Sequence, residues 1–174
     1  MERAELRETL PYRDCAGAVV FNRQGQVFIG RRNDISPDEG DAGAWQFPQG
    51  GMDEGEEPID AALRELYEET SIRSVEILTA APDWIFYDLP DELLGAALKR
   101  KYRGQRQRWF ALLFNGADSE VDVLSPGGGH RAEFSAWRWE DLEKVPDLVV
   151  PFKRDAYRQV AAIFAEIPGQ LHAR

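Results

Sequence analysis

Glu65, Glu68 and Glu69 are the residues of this 174-residue chain whose type and spacing best suit chemistry. They are related as i, i+3 and i+4, so on a helix their carboxylates share one face. Like charges at that spacing repel by roughly 0.2–0.5 kcal/mol per pair in water, and by more where the face is partly buried. Arg64 can pair with Glu68 one turn on, but one cation does not balance three carboxylates. A divalent cation does. Magnesium and manganese take hard oxygen ligands and bridge carboxylates to substrate phosphates. Upstream, Gly50-Gly51 lets the backbone turn tightly and come close to a ligand. The Gly50 carbonyl can then add a further oxygen, and Gln49 or the start of the helix can meet phosphate oxygens. The chemistry implied is metal-assisted attack on a phosphoanhydride bond. For the three glutamates taken alone, the alternative is an ordinary solvated acidic face.

These residues need a helix and a sheet to position them. Ile59, Ala62, Leu63, Leu66 and Thr70 recur at about 100° per residue, which predicts a helix with Pro58 in its first turn. Its acidic face lies roughly opposite this apolar stripe. Before it, residues 15–21 read as a buried strand, 22–25 as a tight turn and 26–30 as the returning strand. Residues 31–43 read as a polar loop, and 45–48 as a short extended piece ending at Pro48. After the helix, 73–80, 84–89, 106–114 and 134–139 read as strands. The 106–114 run is apolar on both faces and is expected to be central. Residues 141–144 suit one helical turn. Residues 151–166 suit a final amphipathic helix with Phe152, Ala156, Val160, Ile163 and Phe164 inward, ended by Pro168-Gly169. The order predicts an α/β or α+β sandwich, with a mixed sheet covered by helices.

Composition bounds the function. Hydrophobic residues at 43% and charged residues at 30% describe a folded chain of about one domain. Cys15 is the single cysteine and lies in an apolar run, so it is expected to be buried and unpaired. With only two histidines beside it, a zinc cluster of the usual type is excluded. No apolar stretch is long enough to span a membrane and the first residues do not form a signal peptide, so a cytoplasmic protein is expected. The net charge of −10 argues against general nucleic-acid binding, DNA included. The charge is uneven, however. Lys99, Arg100, Lys101, Arg103, Arg106 and Arg108 form one basic run, and Lys153, Arg154 and Arg158 a second. An acidic centre flanked by basic segments suits a polyphosphate substrate. A solvated face is the ordinary alternative for either run.

The stretch from Gly50 to Ile72 resembles the Nudix box of the Nudix hydrolase superfamily. The match covers Gly50, Glu56, Arg64, Glu65, Leu66, Glu68, Glu69 and Ile72. By chance such a pattern arises on the order of once in 10^8 windows. One position departs: Ser71 stands where the family has a glycine that closes the helix. The resemblance implies an α/β/α sandwich over residues 11–166, with 1–10 and 167–174 as short terminal extensions. It implies Mg2+ or Mn2+, two or more ions, held by Glu65, Glu68 and Glu69 with the Gly50 carbonyl. Arg64 would orient a glutamate, with Glu56 its partner, and Glu65 or Glu69 would act as general base.

The flanks narrow the resemblance. Residues 45–51, 134–139 and 149–157, with Leu89-Pro90, Gly104-Gln105 and 107–110, are similar to the bacterial RNA pyrophosphohydrolase group, which also contains dinucleoside polyphosphate hydrolases. The resemblance implies that Glu133 is an outer metal ligand and that Phe152 stacks on a nucleobase. It places Arg13, Arg32 and Lys153 near phosphates or RNA and Tyr87 beside the cleft. Core packing is the alternative for Phe152 and Tyr87. His130 reads as a surface residue. The expected function is removal of pyrophosphate from the 5′-triphosphate end of RNA. The alternatives are hydrolysis of diadenosine tetraphosphate and its relatives, or a non-catalytic nucleotide-binding module of the same fold.

Overall fold

A computed structural model describes residues 2–94 and 101–174, so Lys99 and Arg100 of the first basic run lie outside the described residues. The elements in order are α1 (Arg3–Thr9), β1 (Tyr12–Phe21), β2 (Val27–Arg32), β3 (Trp45–Gln46), β4 (Gln49–Gly51) and α2 (Pro58–Thr70). They continue with β5 (Val75–Ala80), β6 (Ile85–Asp88), β7 (Gly104–Phe114), β8 (Phe134–Glu140), α3 (Arg154–Ile163) and α4 (Ile167–His172).

All eight strands form one mixed sheet. Its spine is β1 and β7, parallel over ten residue pairs from Tyr12–Gly104 to Phe21–Leu113. β5 and β6 pair antiparallel with β7, which is therefore flanked on both sides, an interior position that suits its two-sided apolar pattern. β2 pairs with β3 and β8. The β1–β2 turn closes on Asn22, whose Oδ1 accepts from the amides of Gln24 and Gln26. Beyond it the two strands part, sharing only the Phe21–Val27 register pair. β4 fills the gap beside the first half of β1, with Gly51 opposite Cys15 and Gln49 opposite Gly17. This split in the sheet holds the site.

Strand alternation sorts the core into two layers. Ala16, Ala18, Val20, Phe110, Leu112 and Phe114 face α2, where Ala62 and Leu66 are buried. Val19, Phe21, Trp109, Ala111 and Leu113 face α3 and α4, meeting Ala156, Tyr157, Val160, Phe164 and Leu171. The result is an α/β/α sandwich.

Three local expectations need correction. Pro168-Gly169 does not end the helical region: Pro168 stands in the first turn of α4, where its missing N–H costs nothing. Residues 151–153 wind as a 3-10 turn before α3 begins. Tyr157 is accordingly buried in the inner stripe, while Ile163, the last residue of α3, is exposed. Finally, Arg31 and Arg32 belong to β2 rather than to the following loop. That loop is pinned from within: Arg31 donates to the carbonyls of Ser36 and Gly40, and Asp41 accepts from Trp45 Nε1 at 3.1 Å.

Candidate active site

The acidic helix is terminated in a specific way. Ser71, the only non-glycine with positive φ among the described residues, takes the left-handed conformation at φ 68°. Its amide donates to the Tyr67 carbonyl at 2.9 Å and its hydroxyl to the Asp122 carbonyl at 3.1 Å. The departure from glycine therefore leaves the helix end unchanged, at a conformational cost of about 1 kcal/mol that the side-chain hydrogen bond partly offsets.

Helix α2 presents Glu65 and Glu69 to β4, while Glu68 faces His130, so the acidic face lies opposite the apolar stripe but is covered on one side rather than open to solvent. Glu69 is 6% exposed, and its Oε2 accepts from the Gln49 amide at 3.1 Å. Burial, followed by the charges of Glu65 and Glu133, pushes its carboxyl well above the usual range. Burial also raises Glu65, against the opposing effect of Arg64. Glycine leaves room for these groups: a Cβ on Gly50 would displace the Glu65 carboxylate, and one on Gly51 the Arg13 guanidinium.

Arg64 ties these pieces together. Its Nε and Nη2 donate to the two oxygens of Glu56, each at 2.9 Å, in a bidentate pair. Nη2 also donates to the Gly51 carbonyl at 2.9 Å, while Nη1 reaches Glu65 at 2.9 Å and Glu68 at 3.2 Å. The hydrogen bonds from Arg64 hold Glu56 below the usual carboxylate range.

Two adjoining clefts share Glu65, Glu69 and Glu133 as a common wall. One, of about 320 Å3, is completed by Arg13, Gln46, Gln49, Gly50 and Gly51. The other, of about 180 Å3, is completed by Glu68, His130 and Arg131. His130 is largely exposed, and its Nε2 lies 3.5 Å from Glu68 Oε1. Among the described residues, no three carboxylate, imidazole or thiol groups converge closely enough to enclose an ion as they stand. The donor set nevertheless fits a hard cation. It is all oxygen, it is crowded with like charge, and the buried Gln49 Oε1 beside it has no hydrogen-bond partner.

β1 and β7 connect this acidic region to a second group. Tyr87 is buried, with its ring 5.8 Å from that of half-buried Phe152 and 5.6 Å from Lys153 Nζ. Burial, followed by the charge of Arg32, lowers Lys153 to about 8. Burial raises Cys15, beneath this group, to about 12, so it is an inert thiol. Arg32 is near Lys153, but its guanidinium is engaged by Asp34 at 2.6 Å. The structure thus brings Gly50, Glu56, Arg64, Glu65, Glu68, Glu69, Glu133 and Arg13 to one place, and Tyr87, Phe152 and Lys153 to its flank.

Within the described part of the basic run, 101–108, Arg103 and Arg106 are not free cations. Arg103 pairs with Asp88 at 2.9 Å and Arg106 with Asp14 at 2.5 Å. The guanidinium of Arg106 lies 4.3 Å, and that of Arg108 5.6 Å, from the Trp84 ring. Sequence reasoning missed Gln46 and Arg131 as lining residues. The only signal for Arg131 was its place two residues before Glu133.

The NUDIX domain family matches residues 11–160. The chain is 54% identical over 160 residues to an RNA pyrophosphohydrolase of Rhodopseudomonas palustris, covering 92% of this chain and 95% of that one. It is 58% identical over 159 residues to an RNA pyrophosphohydrolase of Azorhizobium caulinodans, covering 90% and 94%. Among solved structures, it is similar to a C. elegans Ap4A hydrolase binary complex at a TM-score of 0.59 and 19% identity, covering 88% and 98%. It is also similar to the E. coli dihydroneopterin triphosphate pyrophosphohydrolase at 0.60 and 21%, covering 86% and 96%. At these identities the structural likeness speaks to the fold alone.

Proposed function

The chain belongs to the NUDIX domain family and is a hydrolase of phosphoanhydride bonds, and on that premise we propose that it removes pyrophosphate from the 5′-triphosphate end of RNA. The observation that supports this reading best is the continuity of the site. β1 and β7 join an acidic cleft to the Tyr87–Phe152–Lys153 group, so a polyphosphate and its nucleoside can be held side by side. We take residues 11–166 as a single catalytic domain acting in the cytoplasm. No helix of the described residues is long and apolar enough to cross a membrane.

Hydrolases of this family use divalent metal ions. We infer two or more Mg2+ or Mn2+ ions, held by Glu65, Glu68, Glu69 and the Gly50 carbonyl, with Glu133 at the outer edge. Bound there, such ions acidify water and hold charge on phosphate oxygens. Water then attacks a phosphorus in line, and Glu65 or Glu69 takes its proton as general base. Arg64, locked to Glu56, fixes the Gly51 carbonyl and the Glu65 carboxylate in place. Arg13, Arg32 and Lys153 meet phosphates. Phe152 stacks on a base, and Tyr87 borders it.

One observation favours a second reading, a dinucleoside polyphosphate hydrolase. Arg103 and Arg106 are neutralised by Asp88 and Asp14, which leaves fewer cations to follow a long RNA. A non-catalytic module is disfavoured by the complete set of carboxylates. The test is kcat/KM on a short 5′-triphosphate RNA and on diadenosine tetraphosphate, side by side with product identification. RNA turnover that exceeds dinucleotide turnover and releases pyrophosphate is expected. The reverse order would transfer the assignment to the second reading.

A further inference from the structure

Between Ser125 and Ala132 the chain runs as a strap along the smaller cleft, which it lines with His130 and Arg131. Both ends of the strap are fixed. Asp122 Oδ1 accepts from the amides of Leu124 and Ser125 at 3.1 and 2.9 Å. Asn33 Nδ2 donates to the Ala132 carbonyl, and the Asn33 amide to the Glu133 carbonyl. Between these anchors, among the described residues, no hydrogen bond joins the backbone of 126–131 to the rest of the chain. The middle is three glycines in a row. Gly128 and Gly129 have φ of 77° and 73°, conformations that side-chain-bearing residues rarely hold. Gly127 rests on the Tyr67 ring, which a Cβ would displace, while a Cβ on Gly129 would meet nothing. The strap therefore touches α2 at one glycine and carries its two cation-forming side chains beyond it.

Those side chains stand beside four carboxylates, Glu65, Glu68, Glu69 and Glu133, without being taken up by them. His130 Nε2 is 3.5 Å from Glu68 Oε1, long for a hydrogen bond. Among the described residues Arg131 forms no salt bridge, although Arg64, Arg103 and Arg106 each have a carboxylate at 2.9 Å or less. A guanidinium in that position keeps its planar fork of donors open, the geometry that suits phosphate oxygens.

The layout of the two clefts identifies the anion. Arg13 belongs to the larger cleft, and its charge acts on both Cys15 and Tyr87, so that cleft adjoins the Tyr87–Phe152–Lys153 group. The smaller cleft lies across the shared wall of Glu65, Glu69 and Glu133. A polyphosphate whose nucleoside is held at Phe152 enters through the larger cleft, passes the carboxylates and ends in the smaller one. That distal end is the group that leaves. The oxygen of water bonds to phosphorus, the anhydride P–O bond breaks, and its electron pair departs on the pyrophosphate.

We propose that the smaller cleft is the subsite of the departing pyrophosphate, with the Arg131 guanidinium donating to its oxygens, the His130 N–H as a second donor, and the triglycine strap carrying both. The proposal rests on the hydrolase reading above and adds to it where the leaving group is held. Arg131 and His130 form no bond to phosphorus and move no proton.

The test is inhibition by each product in steady state, beside calorimetric binding of magnesium pyrophosphate, for wild type, Arg131→Ala, Arg131→Lys and His130→Ala. Both positions are exposed, so the variants are expected to fold, which thermal melts check. In Arg131→Ala the inhibition constant and calorimetric Kd of pyrophosphate are expected to rise about tenfold, as for the loss of one charge-assisted contact. The inhibition constant of the 5′-monophosphate product should stay within about twofold. Arg131→Lys should recover part of the loss, and His130→Ala should weaken pyrophosphate about threefold. Unchanged pyrophosphate affinity in Arg131→Ala overturns the proposal. Equal losses for the two products overturn it too, because a general loss of positive charge weakens both. Tighter pyrophosphate binding in His130→Ala overturns the donor role of the imidazole. Calorimetry needs no turnover: a wild-type protein that cleaves neither 5′-triphosphate RNA nor diadenosine tetraphosphate defeats the hydrolase reading, while the pyrophosphate titration still decides on Arg131.

Discussion

Arg64 grips Glu56 with two parallel hydrogen bonds of 2.9 Å across eight residues of sequence. That pair fastens the loop before α2 to the middle of the helix. The same guanidinium carries on to the Gly51 carbonyl and the Glu65 carboxylate, so the loop, the helix and β4 are clamped at one point. Lysine can supply the charge but not the planar fork.

Arg64→Lys is therefore expected to lower kcat by at least about tenfold, with a stability loss of about 1 kcal/mol for a half-buried charge-assisted pair. Arg64→Ala should lose more of both. Steady-state rates and thermal melts check this. A lysine variant with full activity would show that the clamp is not needed to place Glu65.

Ser71 holds a backbone conformation that glycine adopts at less cost. Ser71→Gly relieves that strain but gives up the hydroxyl bond to Asp122. The net expectation is a gain of about 0.5 kcal/mol, or a Tm rise of roughly 1–2 °C for a chain of this size, with kcat unchanged. A lower Tm in the glycine variant would mean that the Asp122 bond outweighs the strain.

Asp41 gathers Trp45, Arg138 and Arg31 at the root of the rim loop. The hydrogen bond from Trp45, then the hydrogen bond and charge of Arg138 and the charge of Arg31, hold its carboxyl below the usual carboxylate range. A depressed folded pKa contributes stability above the unfolded value near 3.9, and that contribution is lost as pH falls through the folded pKa. Asp41 is half exposed, so solvent screening limits the effect to about 0.5 kcal/mol or less. Melts of wild type and Asp41→Asn should differ slightly at pH 6 and converge below about pH 4. A gap that widens toward acid would contradict the sign.

The helix and its carboxylates were legible because they are local: offsets of three and four along one helix fix which side chains are neighbours. The burial of Glu69 was not. It depends on β4 lying against α2, a contact set by where β1 and β2 part, and no period in the sequence marks that split. Pro168-Gly169 reads as a stop by its residue types, yet Ile167 and Leu171 supply an apolar face that docks on the core and carries the chain through a further helix. In the described part of the basic run, the pairing of Arg103 and Arg106 was hidden for the opposite reason. Their partners Asp88 and Asp14 are supplied by neighbouring strands, and pairing across strands is invisible in a linear charge pattern. Glu56 and Arg64 sit between these cases. The spacing and the resemblance suggested the partnership, and the geometry gives it a bidentate form.

The central claim is that the buried carboxylate of Glu69 belongs to a metal-dependent hydrolytic centre. The most direct measurement is turnover of 5′-triphosphate RNA by wild type and Glu69→Gln across a magnesium titration, with melts at each concentration. Wild-type activity should vanish when the ion is chelated, and added ion should raise the Tm. Glu69→Gln should fold, with a Tm at least equal to wild type in the absence of ion because a crowded buried carboxylate is gone. Its kcat should fall by about 10^3 or more, and its melting should respond less to magnesium. Full activity in Glu69→Gln, or wild-type turnover indifferent to chelation, would contradict the account.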